Sequence, residues 1–123
     1  MGDETMLRHD AKSLALFQAI QAKLAADPQR RDKLKAARDW ARRFSLERPE
    51  DIWLAEWVDR LDAVLQADEP TEALGNLYAL MLSTDQHAID MRSSSPFAGV
   101  LTVQERTHAL LVFERGWDDR RTA

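Results

Sequence analysis

Proline and glycine interrupt this chain at very few points, and the stretches between them are made of helix formers. Proline stands only at Pro28, Pro49, Pro70 and Pro96, and the first three lie against acidic residues: Asp27-Pro28, Pro49-Glu50-Asp51 and Asp68-Glu69-Pro70. That combination stops one helix and starts the next. Proline disfavours the α conformation in the residue before it, yet fits the first helical turn, where its missing N–H would have no partner anyway. An aspartate just ahead caps free amides, and acids in a first turn suit the helix dipole. The pattern predicts helices over Thr5–Ala26, Pro28–Phe44, Pro49–Gln66 and Pro70–Leu82. Ser83 with Gln86 and Thr102 with Glu105 read as capping boxes, opening a short helix Thr84–Arg92 and a last helix that stops at Gly116.

Apolar residues fall at helical spacing within these segments. Leu14, Leu16, Phe17, Ile20 and Leu24 line the first helix, and Leu34, Ala37, Trp40, Ala41 and Phe44 the second. Ile52 or Trp53, Glu56 or Trp57, Leu61, Val64 and Leu65 line the third. Gly99-Val100-Leu101-Thr102-Val103 is β-like but too isolated to make a sheet. A chain of 123 residues suits one domain, with a core large enough to need no staples. The expected fold is therefore all-α: a compact orthogonal helical bundle of about five or six helices over residues 1–123, with 1–5 and 118–123 disordered.

With no cysteine, disulfides, zinc ribbons and thiolate catalysis are excluded, and a reducing cytoplasm is the expected location. Met1-Gly2-Asp3-Glu4 is acidic and no long apolar run follows, so neither a secretory signal nor a membrane span is expected. The formal charge is −4, against the usual balance of a nucleic-acid binder. It is unevenly spread: +4 through Arg43, −7 from Phe44 to Glu72, and −1 thereafter.

Chemical signatures are scarce. Glu105-x-x-His108 matches half of a di-iron bundle motif, but no second copy exists, so Glu105 reads as a capping residue. His9, His87 and His108 lack zinc-protease spacing, and Asp85 and His87, two apart on a helix, do not face one another. The triple serine before Pro96 reads as a turn. No phosphate-cradling loop or nucleophile elbow is present. No catalytic, cofactor-binding or metal-ligating residues are expected, and the chain reads as non-enzymatic.

Surfaces carry more information. Between Arg30 and Arg43, seven basic residues face two acidic ones, and Arg30, Arg31, Lys35, Arg38 and Arg42 form a candidate basic face. That face serves nucleic acid or an acidic protein, or docks on the acidic third helix with Glu50, Asp51, Glu56, Asp59 and Asp62. Trp40, Trp53 and Trp57 read mostly as core, while Trp117 sits in a charged tail as a late core anchor or an exposed contact. The connector from Ser93 to Leu101 is apolar at Pro96, Phe97, Val100 and Leu101, and either tucks into the core or forms a contact edge. Arg92, Ser95, Pro96, Phe97, Val100, Leu101 and Trp117 are the candidate partner-binding residues.

Three stretches together resemble a known group. Arg8-His9-Asp10-Ala11-Lys12-Ser13-Leu14-Ala15-Leu16, the Trp53-x-x-x-Trp57 helix and Arg92 through Arg106 resemble small bacterial all-helical proteins encoded in toxin–antitoxin-like two-gene modules. The resemblance covers most of the chain and brings no catalytic residues. It implies a protein partner, a toxin enzyme encoded by the neighbouring gene, that this chain binds and neutralises. The alternatives are a small nucleic-acid-associated regulator acting through the basic second helix, and a helical-bundle metal protein built around Glu105 and His108.

Overall fold

A computed structural model describes residues 6–122, with side chains described through Asp118. Among the described residues the chain is an all-α bundle of six helices: α1 Arg8–Ala26, α2 Arg30–Glu47, α3 Ile52–Gln66, α4 Thr71–Leu82, α5 Gln86–Ser93 and α6 Val103–Thr122. The expected disorder at 1–5 and 123 lies outside the described residues, while the backbone of 118–122 continues α6.

Most junctions are built by short polar side chains, though not always the one expected; at the α3–α4 junction Pro70 itself stands ahead of α4, which begins at Thr71 with no side-chain cap. Asp27 follows α1 and accepts the Gln29 amide at 2.8 Å, so Pro28 lies in a turn and α2 begins at Arg30 rather than at the proline. Asp51 caps α3, accepting from the amides of Trp53 at 3.2 Å and Leu54 at 3.3 Å. The expected Ser83–Gln86 box does not form. Instead Asp85 caps α5 through the Ala88 amide at 2.8 Å, and the Ser83 hydroxyl accepts the Asp85 amide at 3.2 Å. Thr102 and Glu105 form the reciprocal capping box as expected, at 2.8 and 3.1 Å. Gly116 does not stop α6, which runs on to Thr122. Glycine ends a helix when the chain needs a left-handed residue there, and no glycine among the described residues has positive φ. Phe113 and Trp117, four residues apart, stack at 5.8 Å across the Gly116 position and carry the helix through it.

The core is one cluster built on α1 to α5 and the α5–α6 connector. Phe17 and Ile20 from α1 meet Trp57 and Leu61 from α3, Leu77 and Met81 from α4, and Met91 from α5. Trp57, with no exposed surface, donates its indole N–H to the Met91 carbonyl at 2.7 Å. Phe97 turns its edge to Phe17 at 5.8 Å and to Trp57 at 5.2 Å. This three-ring cluster pins the connector to the bundle.

Helix α2 packs on α3 as an antiparallel pair. Leu34, Ala37 and Ala41 form its buried line, and the two alanines let the helices approach closely. Trp40 does not join that line. It is 40% exposed and lies on Phe44 at 4.4 Å, because the small residues take the contact and leave the indole at the edge. On α3 the buried line is Leu54, Trp57, Leu61, Val64 and Leu65, with Ile52 exposed and Trp53 half-buried. No helix among the described residues is long and apolar enough to cross a membrane.

Candidate functional site

The basic helix spends most of its arginines inside the fold. Arg30 donates to the Leu24 and Ala25 carbonyls at 3.0 Å each, closing the C-terminal end of α1. Arg31 does the same for α3 through the Leu65 carbonyl at 2.8 Å. Cations at helix C-termini satisfy orphan carbonyls and oppose the negative end of the dipole. Arg38 bridges Asp39 at 2.8 Å and Asp62 of α3 at 2.6 Å, and those two carboxylates hold its guanidinium above its ordinary range. The docking of α2 on the acidic helix is thus intramolecular, and the exposed members of the candidate face are Arg31, Lys35 and Arg42.

The Ser93–Leu101 connector is core rather than edge. Phe97 is 1% exposed and Val100 5%, Pro96 is buried, and Ser95 and Leu101 are half-buried. Arg92 is also buried. Of the seven candidate contact residues, Pro96 and Val100 line a pocket of about 230 Å³ against α2, and Leu101 and Trp117 line a larger open surface feature.

That feature is a groove between α1 and α6 of about 580 Å³, with a floor of Ala15, Ala19, Ala109, Val112, Phe113 and Trp117. Among the described residues, helix α6 packs on α1 and on no other helix. The pair is antiparallel: Lys23, near the end of α1, meets Glu105 in the first turn of α6, and Arg8, at the start of α1, meets Glu114 at 3.8 Å and lies 5.5 Å over the Phe113 ring. Lys23 and the Thr102 amide together hold the Glu105 carboxyl at about 2, well below the usual range. Its partners are spoken for by capping and an ion pair, and His108 is exposed. Among the described residues no group of three or more His, Asp or Glu side chains gathers to hold a metal.

Val112, in the groove lining, is 54% exposed, and Leu111, outside it, is 55% exposed. These residues went unnoticed in the sequence, although a signal was present. Ala109-Leu110-Leu111-Val112-Phe113 is an unbroken apolar run of five, which spans more than one face of a helix. A helix with one neighbour cannot bury all of it.

His87 does not pair with Asp85. Its Nε2 lies 2.7 Å from a Glu56 carboxylate oxygen on α3, and its ring stands edge-on to Trp53 at 5.5 Å. Arg60 meets the same carboxylate at 3.4 Å, so the cluster is a surface tie between α3 and α5. Compared with known families, curated proteins and solved structures, the chain finds no match in any of the three.

Proposed function

We propose that this chain is a non-catalytic protein-binding module of the antitoxin kind, which occludes a toxin enzyme made by the neighbouring gene. One observation carries the binding part: among the described residues α6 packs on α1 and on no other helix, and leaves an apolar groove with Val112 exposed in its lining and Leu111 exposed beside it. Large contiguous apolar surface on a small domain marks an interaction site, and a pocket that seats one large side chain is the usual energetic centre of an interface. Trp117 and Phe113 offer that seat. The internal use of Arg30, Arg31 and Arg38 favours this reading over a nucleic-acid grip by α2. The antitoxin part rests on the sequence resemblance.

The test is co-expression with the product of the adjacent gene. The expected result is a complex that co-purifies and restores growth, disrupted by Val112→Glu and untouched by Arg42→Glu. Both substitutions fall on exposed positions, so each variant folds. Absence of a complex with the wild-type chain refutes the antitoxin reading. Disruption by Arg42→Glu alone moves the contact to α2 and refutes the groove.

A further inference from the structure

Among the described residues α1 to α5 each pack on two or more other helices, whereas α6 packs on α1 and on no other. The groove between α1 and α6 has small residues at its floor: Ala15 and Ala19, one turn apart on α1, and Ala109 and Gly116, two turns apart on α6. Two larger apolar side chains accompany that hollow. Val112, in the lining, is 54% exposed, and Leu111, next to it and outside the lining, is 55% exposed. A hollow and exposed apolar side chains on one face suit a two-fold contact, because each copy's side chains meet the other's hollow.

Charge narrows the occupant. The chain has a formal charge of −4, yet the acidic and basic side chains in the groove lining are Lys23 and Glu105, and these pair with each other. Towards the other end Arg8 pairs with Glu114 across the same two helices. Arg115, one turn on from Leu111, is exposed and lies outside the lining. A strongly acidic or basic surface therefore meets no unmatched Lys, Arg, Asp or Glu in the lining. A two-fold contact brings charges near their own copies, so a surface that meets itself has to be close to neutral. The groove meets that condition.

Size sets the strength. Over residues 103–118 the face is about 24 Å long at ~1.5 Å per residue, and two helices side by side make it about 20 Å wide. That is on the order of 500 Å² on each copy, below the ~800 Å² per partner of a stable complex and within the range of transient contacts. Such a contact forms at high concentration and gives way to a tighter partner.

We propose that the α1–α6 groove is a self-association surface, on which a second copy of this chain seats its Leu111 and Val112 and receives those of the first in return. The two α1–α6 pairs then make a four-helix arrangement that gives α6 a second helical neighbour. The inference rests on the reading of the groove as a protein contact and adds its regulation, because a second copy and the partner exclude one another from one surface.

The test is sedimentation velocity of the full chain alone, from about 10 µM to about 1 mM, the range in which weak contacts populate. The expected result is a weight-average mass that rises from one chain towards two. Leu111→Glu and Val112→Glu each weaken the dimer at least about tenfold, since each places a carboxylate in the contact without a counter-charge. Leu46→Glu, the same change at a 78% exposed position on α2, leaves it unaltered. All three positions are exposed, so the variants fold. A wild-type chain that stays monomeric at the highest concentration overturns the inference, and co-expression then decides the partner reading by itself. Growth past two chains shows an open, head-to-tail contact and overturns it. Equal weakening by Leu46→Glu and Val112→Glu shows a general charge effect, and loss with Leu46→Glu alone moves the contact to α2; both overturn it. A dimer lost in both α6 variants, with no partner co-purifying, upholds the inference and refutes only the antitoxin reading.

Discussion

Replacing Phe97 with alanine decides whether the Ser93–Leu101 connector belongs to the core. The side chain is 1% exposed and meets two aromatic rings edge-on, Phe17 at 5.8 Å and Trp57 at 5.2 Å. Burying a phenylalanine side chain is worth about 1.5–3 kcal/mol in transfer free energy. A residual cavity of roughly 100 Å³ adds about 2 kcal/mol at ~24 cal/mol per Å³, and the total of ~4 kcal/mol lies inside the range for buried Phe→Ala changes. The lost ring contacts push toward the upper end, at about 0.5–1.5 kcal/mol per aromatic pair. For a domain whose net stability is about 5–15 kcal/mol, this removes a large share. The assay is urea unfolding followed by far-ultraviolet circular dichroism and by tryptophan fluorescence. With a slope of roughly 1.5–2 kcal/mol per molar, the midpoint falls by about 2–3 M with the slope unchanged. Ala98→Ser, on the exposed neighbour, changes stability by under about 0.5 kcal/mol. A loss below about 1 kcal/mol for Phe97→Ala refutes the reasoning, because no fully buried ring in a three-ring cluster leaves so cheaply.

Gly116 lies inside α6 with negative φ and open space where a Cβ would stand, so Gly116→Ala stabilises by about 0.5–1 kcal/mol. A decrease in thermal midpoint would instead mean a left-handed helix stop. Asp51→Ala removes a cap that serves two α3 amides and accepts the Ser94 hydroxyl at 2.8 Å, with a loss of about 1–2 kcal/mol in urea unfolding. Asp51→Asn retains most of the cap, so equal losses for both variants refute a capping role. Glu105→Gln keeps the capping box but removes the charge facing Lys23. Because the folded carboxyl is depressed from 4.5 to about 2, its contribution is complete above pH 4.5 and fades as pH falls through 2. The gap in urea midpoint between wild type and Glu105→Gln is therefore largest at neutral pH and closes across that window. A gap constant with pH refutes the ion pair.

The helical class was legible because it rests on local rules. Proline next to aspartate restricts backbone angles and supplies caps within a few residues, so element number and approximate limits follow from short windows of sequence. Errors came where a tertiary contact overrode the local signal. Gly116 carries no stop because Trp117 stacks back on Phe113. Ser83 yields the cap of α5 to Asp85, which reaches the Ala88 amide directly. Trp40 loses its expected core place to the paired small residues Ala37 and Ala41, a choice made by the approach of α3. The candidate site was less legible for the same reason. Apolar character in the connector marked Phe97 and Val100, but only their three-dimensional neighbours decide that they face inward. Leu111 and Val112 have the opposite fate: their spacing allowed burial, and the lack of a second neighbour for α6 leaves them outside.

Helix α6 is the helix with least support, packed on α1 and on no other helix among the described residues. Elements with few buried contacts open at lower free energy than the core, and here that element forms one side of the proposed groove. A partner seated on Val112 and Trp117 would fasten the later turns of α6 to α1, so part of the binding free energy would go into ordering that helix.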